Sequence, residues 1–174
     1  MITSTIYETE RLLLRPSTEE DADMILELFN SPKWKRYVGE RKVNTLEDAA
    51  KYIRERMMPQ LHRLGFSNNT VIRKSDGAKL GCCGLYDREG LDGVDIGYGF
   101  LPQYEGHGYA FEAACRVKQL GIEDFGIKEI LGITAQENLA SQKILLKLGL
   151  REEGLISLPG ETKKLLLYRW KLSG

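Results

Sequence analysis

Two glycines one residue apart, Gly106 and Gly108, stand between a strand-like segment and a helix-favouring segment. Because glycine has no Cβ, such a loop can turn sharply and direct several backbone N–H groups into one small volume. The first amides of the helix that begins near Tyr109 lack partners within the helix, and the helix dipole favours an anion there. The spacing therefore fits a phosphate-binding loop, and it fits a purely structural tight turn equally well.

Two other glycine-rich phosphate motifs do not match this loop. A P-loop has Lys and then Ser or Thr directly after its last glycine, and neither follows Gly108. A dinucleotide fingerprint has a third glycine three residues after the second, where this sequence has Phe111. If the loop binds a phosphate, the ligand therefore belongs to another class.

Residue types that bind metals or form disulfides are sparse in this chain. The histidines His62 and His107 and the cysteines Cys82, Cys83 and Cys115 have no spacing that closes a zinc site. The cysteines lie among apolar or small residues, which indicates small core-filling side chains and no disulfide framework. We therefore expect no metal centre.

Charge and hydropathy argue against several classes of protein. The 174-residue chain carries 25 basic and 25 acidic side chains, so no net field draws it to nucleic acid or to an anionic membrane. It has no apolar run of the roughly 20 residues that span a bilayer, and its first residues lack the basic and apolar parts of a signal peptide. We expect a cytoplasmic protein without nucleic-acid or membrane partners.

Hydrophobic periodicity predicts the elements that must position the glycine loop. In order, they are a strand over 11–16, helices over 18–30 and 45–64, a hairpin over 67–74 and 79–86, a strand over 94–101, a helix over 109–124, a strand over 129–134, a helix over 141–149, and strands over 154–158 and 164–172. Thr45 and Gly65 are predicted to cap the second helix, and Gly97 and Gly99 predict a bulge. This order indicates one mixed α/β domain.

The segment around the two glycines resembles the Q/R-x-x-G-x-G/A signature of the GNAT superfamily of acyl-CoA-dependent N-acetyltransferases, in the form QYEGHG at 103–108. The resemblance continues in ETERLLLRP at 8–16, DIGYGFLP at 95–102 and NLASQKILLKLGLREEG at 138–154. These segments are similar to the RimJ/RimL-type subgroup, which acetylates ribosomal-protein N-termini, and to its relatives of other specificity. The resemblance implies one GNAT domain over 8–172, with a mostly antiparallel twisted sheet of about six to seven strands, splayed in the middle and flanked by about four helices.

The resemblance also implies acetyl-CoA as co-substrate. Backbone groups of Phe100 and Leu101, on the splayed strand, would contact its pantetheine arm, and amides of residues 106–110 would hold its pyrophosphate. The other implied cofactor-binding residues are Gln103, the loop and helix residues Gly106, His107, Gly108, Tyr109 and Ala110, and Asn138 and Ser141 of an N-x-x-S motif. Without the family context, that motif indicates a helix cap.

An amine attacks a thioester only when it is deprotonated, whereas a free α-amino group titrates near about pH 8 and a lysine above about pH 10. Asp95, on the splayed strand, is our candidate for a water-mediated base, although a solvated aspartate at a loop edge fits the sequence as well. The resemblance places Ser141 near the sulfur, where its hydroxyl can protonate the departing thiolate. Asp95 and Ser141 are the predicted catalytic residues.

The predicted acceptor-binding residues, Trp34 and Tyr37, lie among five basic residues in KWKRYVGERK at 33–42. The acceptor would be a primary amine on a peptide or small molecule, and an exposed basic turn with anchored aromatics is the alternative interpretation. The resemblance implies direct attack of the amine in a ternary complex without a metal. A longer acyl group, a non-catalytic acyl-CoA-binding module, and a monomer or homodimer all remain open.

Overall fold

The computed structural model describes residues 5–173. Residues 1–4, which begin the segment on which the signal-peptide expectation rests, and residue 174 lie outside this range. The strands are β1 (Tyr7–Glu8), β2 (Leu12–Pro16), β3 (Asn68–Arg73), β4 (Lys79–Asp87), β5 (Val94–Phe100), β6 (Glu129–Thr134), β7 (Arg151–Ile156) and β8 (Leu165–Lys171). The α-helices are α1 (Ala22–Phe29), α2 (Pro32–Tyr37), α3 (Leu46–Tyr52), α4 (Met58–Leu64), α5 (Tyr109–Glu123) and α6 (Leu139–Lys147).

The strands form one sheet in the order β1-β2-β3-β4-β5-β6-β8-β7. All neighbouring strands are antiparallel except β5 and β6, which are parallel. These two strands pair only at Val94 with Ile130 and at Asp95 with Leu131, and they separate beyond that point. The predicted mixed α/β sheet with a splay in its middle is therefore confirmed, with the opening between β5 and β6.

The two faces of the sheet carry two hydrophobic clusters. The larger cluster packs α5 and α6 against the sheet, and the smaller one packs α1 and α3 against the other face. Adjacent residues of a strand point to opposite faces, so Cys83 belongs to the larger cluster and Cys82 to the smaller one. The predicted core-filling role holds for these two cysteines but is wrong for Cys115, which is exposed on α5.

Local signals set most helix ends where the sequence predicts them. Thr45 caps α3, because its hydroxyl accepts a hydrogen bond from the Asp48 amide at 3.0 Å. Gly65 ends α4 with a φ of +86°, in the left-handed region that glycine adopts without strain. The helix predicted over 45–64 is continuous but contains a π-helical turn at Ile53–Met57, which ends two residues before Pro59. Such a turn accommodates the missing proline amide.

The chain between the first two predicted helices differs from the prediction. Instead of ending in a basic turn, it forms the additional short helix α2, in which Pro32 occupies the first turn. Proline is favoured there because its missing amide hydrogen has no partner in the helix. The two-residue strand β1 is also additional, which raises the strand count to eight. Both additions are too short for a periodic pattern to reveal.

The predicted bulge at Gly97 and Gly99 is wrong, because β5 pairs with β4 without a register shift. These glycines instead leave room for aromatic rings. A Cβ built at Gly97 would lie 2.8 Å from the Tyr86 ring, and one at Gly99 would lie 2.6 Å from the Trp34 ring. The splay therefore arises on the β6 side of β5 and needs no irregularity toward β4.

A buried ion pair fixes the start of the first helix to β2. The Asp21 carboxylate is fully buried and accepts hydrogen bonds from Arg15 Nη1 at 2.7 Å and Nη2 at 2.8 Å. It also accepts from the Thr18 amide at 2.9 Å, which completes a capping box. Burial alone would raise the pKa of Asp21, but the hydrogen bonds from Arg15 and Thr18 outweigh it and lower the pKa to about 2.

None of the helices within residues 5–173 is long and apolar enough to cross a membrane.

Candidate active site

The glycine loop leads directly into α5 and leaves a group of amides free. Gly106 and Gly108 have φ values of +82° and +80°, which only glycine adopts readily. Gly108 occupies the N-cap position of α5 and has no side chain to cap the helix. Within the described chain, the amides of residues 106–111 donate no hydrogen bond to protein atoms. The loop therefore presents unpaired N–H groups at the positive end of a helix of 15 residues.

An arginine from the start of the chain lies beside this loop. A Cβ built at Gly108 would lie 3.5 Å from an Arg11 guanidinium nitrogen, and the Arg11 guanidinium also lies 4.4 Å from the centroid of the Tyr109 ring. Glu112 holds Arg11 in place by accepting from its Nε at 2.7 Å and from its amide at 3.0 Å. Arg11 and Gly108 line an open depression of about 670 Å³, which Glu112 and Arg116 also line, so this side of the loop has space and a guanidinium that is paired with a carboxylate.

The side chains of the loop itself point to different partners. Gln103 Nε2 donates to Glu27 Oε1 on α1 at 3.1 Å, so its side chain reaches toward that helix. Lys33 of α2 donates to the Glu105 carboxylate and ties α2 to the loop. His107 is exposed, with its ring centroid 5.7 Å from that of Tyr109. The accessible polar surface of the loop thus includes its backbone and the His107 side chain.

The open edge of β5 begins after Asp95 and runs to Phe100, without a strand partner on the β6 side. Leu101, which follows the strand, uses both of its backbone groups within the protein. Its amide donates to the Leu80 carbonyl at 2.9 Å, and its carbonyl accepts from the Tyr104 amide at 3.0 Å. The Leu101 amide is therefore not free for the expected hydrogen bond with the pantetheine arm. The unpaired edge of β5 from Ile96 to Phe100 is better suited to that contact.

Ser141 lies in the first turn of α6, across the opening from β5. Asn138 caps this helix, because its Oδ1 accepts from the Ser141 amide at 3.3 Å. On the β5 side, the Tyr98 hydroxyl lies 3.0 Å from Ser141 Oγ and 3.0 Å from the Ser141 carbonyl oxygen. The structure thus brings the predicted hydroxyl of Ser141 to the splay and adds a second hydroxyl beside it.

Asp95 lies at the point where β5 and β6 separate, but its carboxylate is 1% exposed. Arg88 Nη2 donates to Asp95 Oδ2 at 3.1 Å, and Arg88 Nε lies 3.3 Å from both carboxylate oxygens. Burial raises the pKa of Asp95, although the charge of Arg88 opposes this shift. The carboxylate is positioned for an ion pair and has little contact with solvent, which argues against a base that works through water.

The two predicted acceptor-binding aromatics have different surroundings. Trp34 stacks on Phe29, with ring centroids 4.5 Å apart, and covers Gly99 of β5. Its indole nitrogen is buried and has no partner among the described residues. Tyr37 is half-buried, with the Arg36 guanidinium 5.2 Å from its ring centroid. Trp34 therefore forms a wall next to the open strand on the sheet face opposite α5.

Arg11 and Tyr98 are the polar residues at the site that the sequence reasoning missed. Arg11 is separated from Glu112 by 101 positions, so only the folded chain brings it to the loop. The position of Tyr98 could have been predicted from the sequence, since the period-2 alternation of a strand places it on the same face of β5 as the buried Ile96 and Phe100. Among residues 5–173, no three side chains of His, Cys, Asp or Glu are arranged to share a metal ion.

The family comparison agrees with this geometry. Residues 11–151 match the model of the acetyltransferase (GNAT) domain, a range that contains the glycine loop, the splay and Ser141. Among curated proteins, the chain is 28% identical over 152 residues to the uncharacterized N-acetyltransferase YoaA of Bacillus subtilis (strain 168), covering 87% of this chain and 85% of that protein.

Two further relatives extend the likeness. The chain is 30% identical over 154 residues to the uncharacterized N-acetyltransferase p20 of Bacillus licheniformis, covering 87% of this chain and 85% of that protein. It superimposes with a TM-score of 0.81 and 17% identity on RimL, a ribosomal L7/L12 alpha-N-protein acetyltransferase in complex with coenzyme A, covering 97% and 98% of the two chains. The match at this identity shows a shared fold. The chain therefore belongs to the GNAT family of acyl-CoA-dependent N-acetyltransferases.

Proposed function

We propose that this protein transfers the acetyl group of acetyl-CoA to a primary amine by direct attack in a ternary complex. The observation that carries the proposal is the set of unpaired amides over residues 106–111, at the N-terminus of α5 and next to the opening between β5 and β6. An anion site at one end of an opening in a sheet suits a donor with a diphosphate and a long, extended arm.

The loop geometry fits the diphosphate of acetyl-CoA. The amides of residues 106–110 would bind its oxygens, since the two positive-φ glycines leave them uncovered. Arg11 would add a positive charge beside Gly108. The open edge of β5 would then pair with amide groups of the pantetheine arm, as an added strand does. Asn138 and Ser141, at the start of α6, would lie at the thioester end of the donor.

The acceptor amine would approach from the sheet face that carries Trp34. Trp34 and Tyr37 lie on α2, which Lys33 ties to Glu105 of the glycine loop, so donor and acceptor sites share a border. We propose as acceptor the N-terminal amine of a protein, which is the type of acceptor named for the alpha-N-protein acetyltransferase RimL, or the amine of a small molecule. A strand amide at the splay would stabilise the charge that develops on the thioester oxygen.

The proton movements would be divided between two sites. Ser141 would protonate the departing thiolate, because its hydroxyl lies at the start of α6 beside the open strand. The predicted base Asp95 is buried and paired with Arg88, so we propose that it acts as a fixed charge near the splay and that the amine loses its proton to solvent. An α-amino group needs little help at about neutral pH to lose its proton, whereas a lysine needs a strong base. The buried, paired Asp95 therefore favours the α-amine as acceptor.

Release of CoA thiol tests this proposal. The protein is incubated with acetyl-CoA and with peptides of different N-terminal residues, blocked peptides that contain lysine, polyamines and aminoglycosides, while mass spectrometry follows the acetylated product. We expect at least one unblocked peptide or small amine to stimulate CoA release. If acetyl-CoA raises the melting temperature but no amine stimulates release, the protein is a binding module. If butyryl-CoA is used faster than acetyl-CoA, the donor assignment is wrong.

Replacing Ser141 with alanine should lower turnover by about a hundredfold, because a general acid contributes roughly 10²–10⁴-fold. The affinity for acetyl-CoA should change little, since the Ser141 amide keeps its hydrogen bond to Asn138. Steady-state kinetics and calorimetric titration of the same variant measure the two effects. Unchanged turnover would remove Ser141 from the proposed mechanism.

A further inference from the structure

Tyr98 of β5 forms a hydrogen bond across the opening to α6. Its hydroxyl lies 3.0 Å from the Ser141 carbonyl oxygen and 3.0 Å from Ser141 Oγ. Its ring packs against the larger hydrophobic cluster. Packing requires the ring but not the hydroxyl, so the two contacts with Ser141 need a separate explanation.

The single proton of the Tyr98 hydroxyl can be donated to only one of these two oxygens at a time. If it goes to the Ser141 carbonyl, the Ser141 hydroxyl can donate to the Tyr98 oxygen, and its proton is then not available to another acceptor. If it goes to Ser141 Oγ, the serine proton is free to point elsewhere. The position of one phenolic proton therefore sets the direction in which Ser141 donates.

We infer that Tyr98 is a positioning residue for acyl transfer, which acts through Ser141 by donating its proton to Ser141 Oγ as the thiolate departs. The inference rests on the proposed function. The amine nitrogen forms the new C–N bond while the C–S bond breaks and the sulfur leaves with the electron pair. Ser141 gives its proton to the sulfur, Tyr98 gives its proton to Ser141, and Tyr98 recovers a proton from solvent, which receives the proton that nitrogen loses.

The surroundings of Tyr98 keep its hydroxyl a donor. Burial raises the pKa of Tyr98 above its usual value, although the hydrogen bond with Ser141 opposes this shift. The phenol is therefore protonated throughout the pH range in which an amine acceptor is reactive. No acidic or basic side chain forms a hydrogen bond or ion pair with the Tyr98 hydroxyl within the described chain, so Ser141 is its partner in proton exchange.

The test is a double-mutant cycle with Tyr98→Phe and Ser141→Ala. We expect Tyr98→Phe alone to lower kcat about tenfold, with little change in the KM for acetyl-CoA, since the ring still fills its place. In the Ser141→Ala background, Tyr98→Phe should have no further effect on kcat, because the group through which it acts is gone. Tyr7→Phe, on the edge strand β1 and away from the splay, is the matched control and should leave kcat unchanged.

The possible outcomes separate this inference from the proposed function. If the wild type is active and Tyr98→Phe has the same kcat, only the role of Tyr98 is overturned. Additive effects of the two substitutions would have the same consequence. Parallel loss of acetyl-CoA affinity and kcat in Tyr98→Phe would assign Tyr98 to donor binding and would overturn the inference as well. A wild-type protein that binds acetyl-CoA but releases no CoA with any amine would overturn both.

Discussion

Replacing Gly108 with valine should weaken the binding of acetyl-CoA by roughly tenfold to a hundredfold, because a β-branched residue at its φ of +80° carries about 1–3 kcal/mol of strain. Relief of that strain rotates the peptide units on either side of residue 108. Those units carry amides that we assign to the diphosphate. Calorimetric titration of the variant with acetyl-CoA measures the effect, and unchanged affinity would contradict the assignment of this loop to the diphosphate.

Gly77→Val is the matched control for this substitution. Gly77 has a φ of +75° in the turn between β3 and β4, and a Cβ built there meets no atom within 4 Å. The same strain should therefore lower the free energy of unfolding by a comparable amount without touching the glycine loop. We expect Gly77→Val to keep wild-type affinity for acetyl-CoA. Equal loss of affinity in both variants would mean that general destabilisation, and not the loop, sets binding.

Replacing Asp21 with asparagine should lower the free energy of unfolding by about 3 kcal/mol, because it leaves the partly buried Arg15 guanidinium without its counter-charge. The substitution also weakens the capping box with Thr18. Urea unfolding at neutral pH measures the change. The position lies between β2 and α1, so the site residues on β5 and α6 are untouched and their contacts should persist in the folded variant.

The same carboxylate predicts an acid-dependent loss of stability. The pKa of Asp21 is lowered from 3.8 to about 2 in the folded protein, so its contribution is fully present above the ordinary value and is lost as the pH falls toward 2. The wild type should therefore lose more stability across this interval than Asp21→Asn does. Equal slopes of unfolding free energy against pH for the two proteins would contradict the pairing with Arg15.

Asp76→Asn provides the exposed counterpart. Asp76 also pairs with an arginine, since Arg73 Nη2 lies 2.6 Å from its carboxylate, but its side chain is 48% exposed at the β3–β4 turn. Solvent screens such a pair, and water replaces the lost hydrogen bonds. We expect Asp76→Asn to leave the unfolding midpoint close to that of the wild type.

The sequence predicts much of the fold because its strongest signals are local. The turn at 75–77, the long helix α5 and the glycine that ends α4 each depend on a few adjacent residues. The short helix α2 has no full period to detect, and β1 exists through its pairing with β2. Two glycines within a strand locally indicate a bulge, which is what the sequence predicts for Gly97 and Gly99. Their actual role is to leave space for the rings of Tyr86 and Trp34, and these residues are too far away in the sequence for a local pattern to reveal the contacts.

In the candidate site, too, the sequence predicts the features that depend on adjacent residues and misses those that depend on distant ones. The free amides of the glycine loop follow from glycine spacing and a helix start, and both are visible in a short segment. The contact between Tyr98 and Ser141 joins residues 43 positions apart, and the ion pair of Asp95 depends on where β4 ends. The burial of Asp95 and its pairing with Arg88 are properties of the folded chain that the sequence does not show. Sequence reasoning could therefore propose Asp95 as a base, whereas the structure argues against that role.

Titration of the protein with acetyl-CoA in a calorimeter tests the donor site on which the proposed activity depends. We predict saturable binding of one acetyl-CoA per chain, weakened in Gly108→Val and retained in Gly77→Val. The absence of binding heat, together with an unchanged melting temperature at saturating acetyl-CoA, would contradict the assignment of the glycine loop and the splay to this donor.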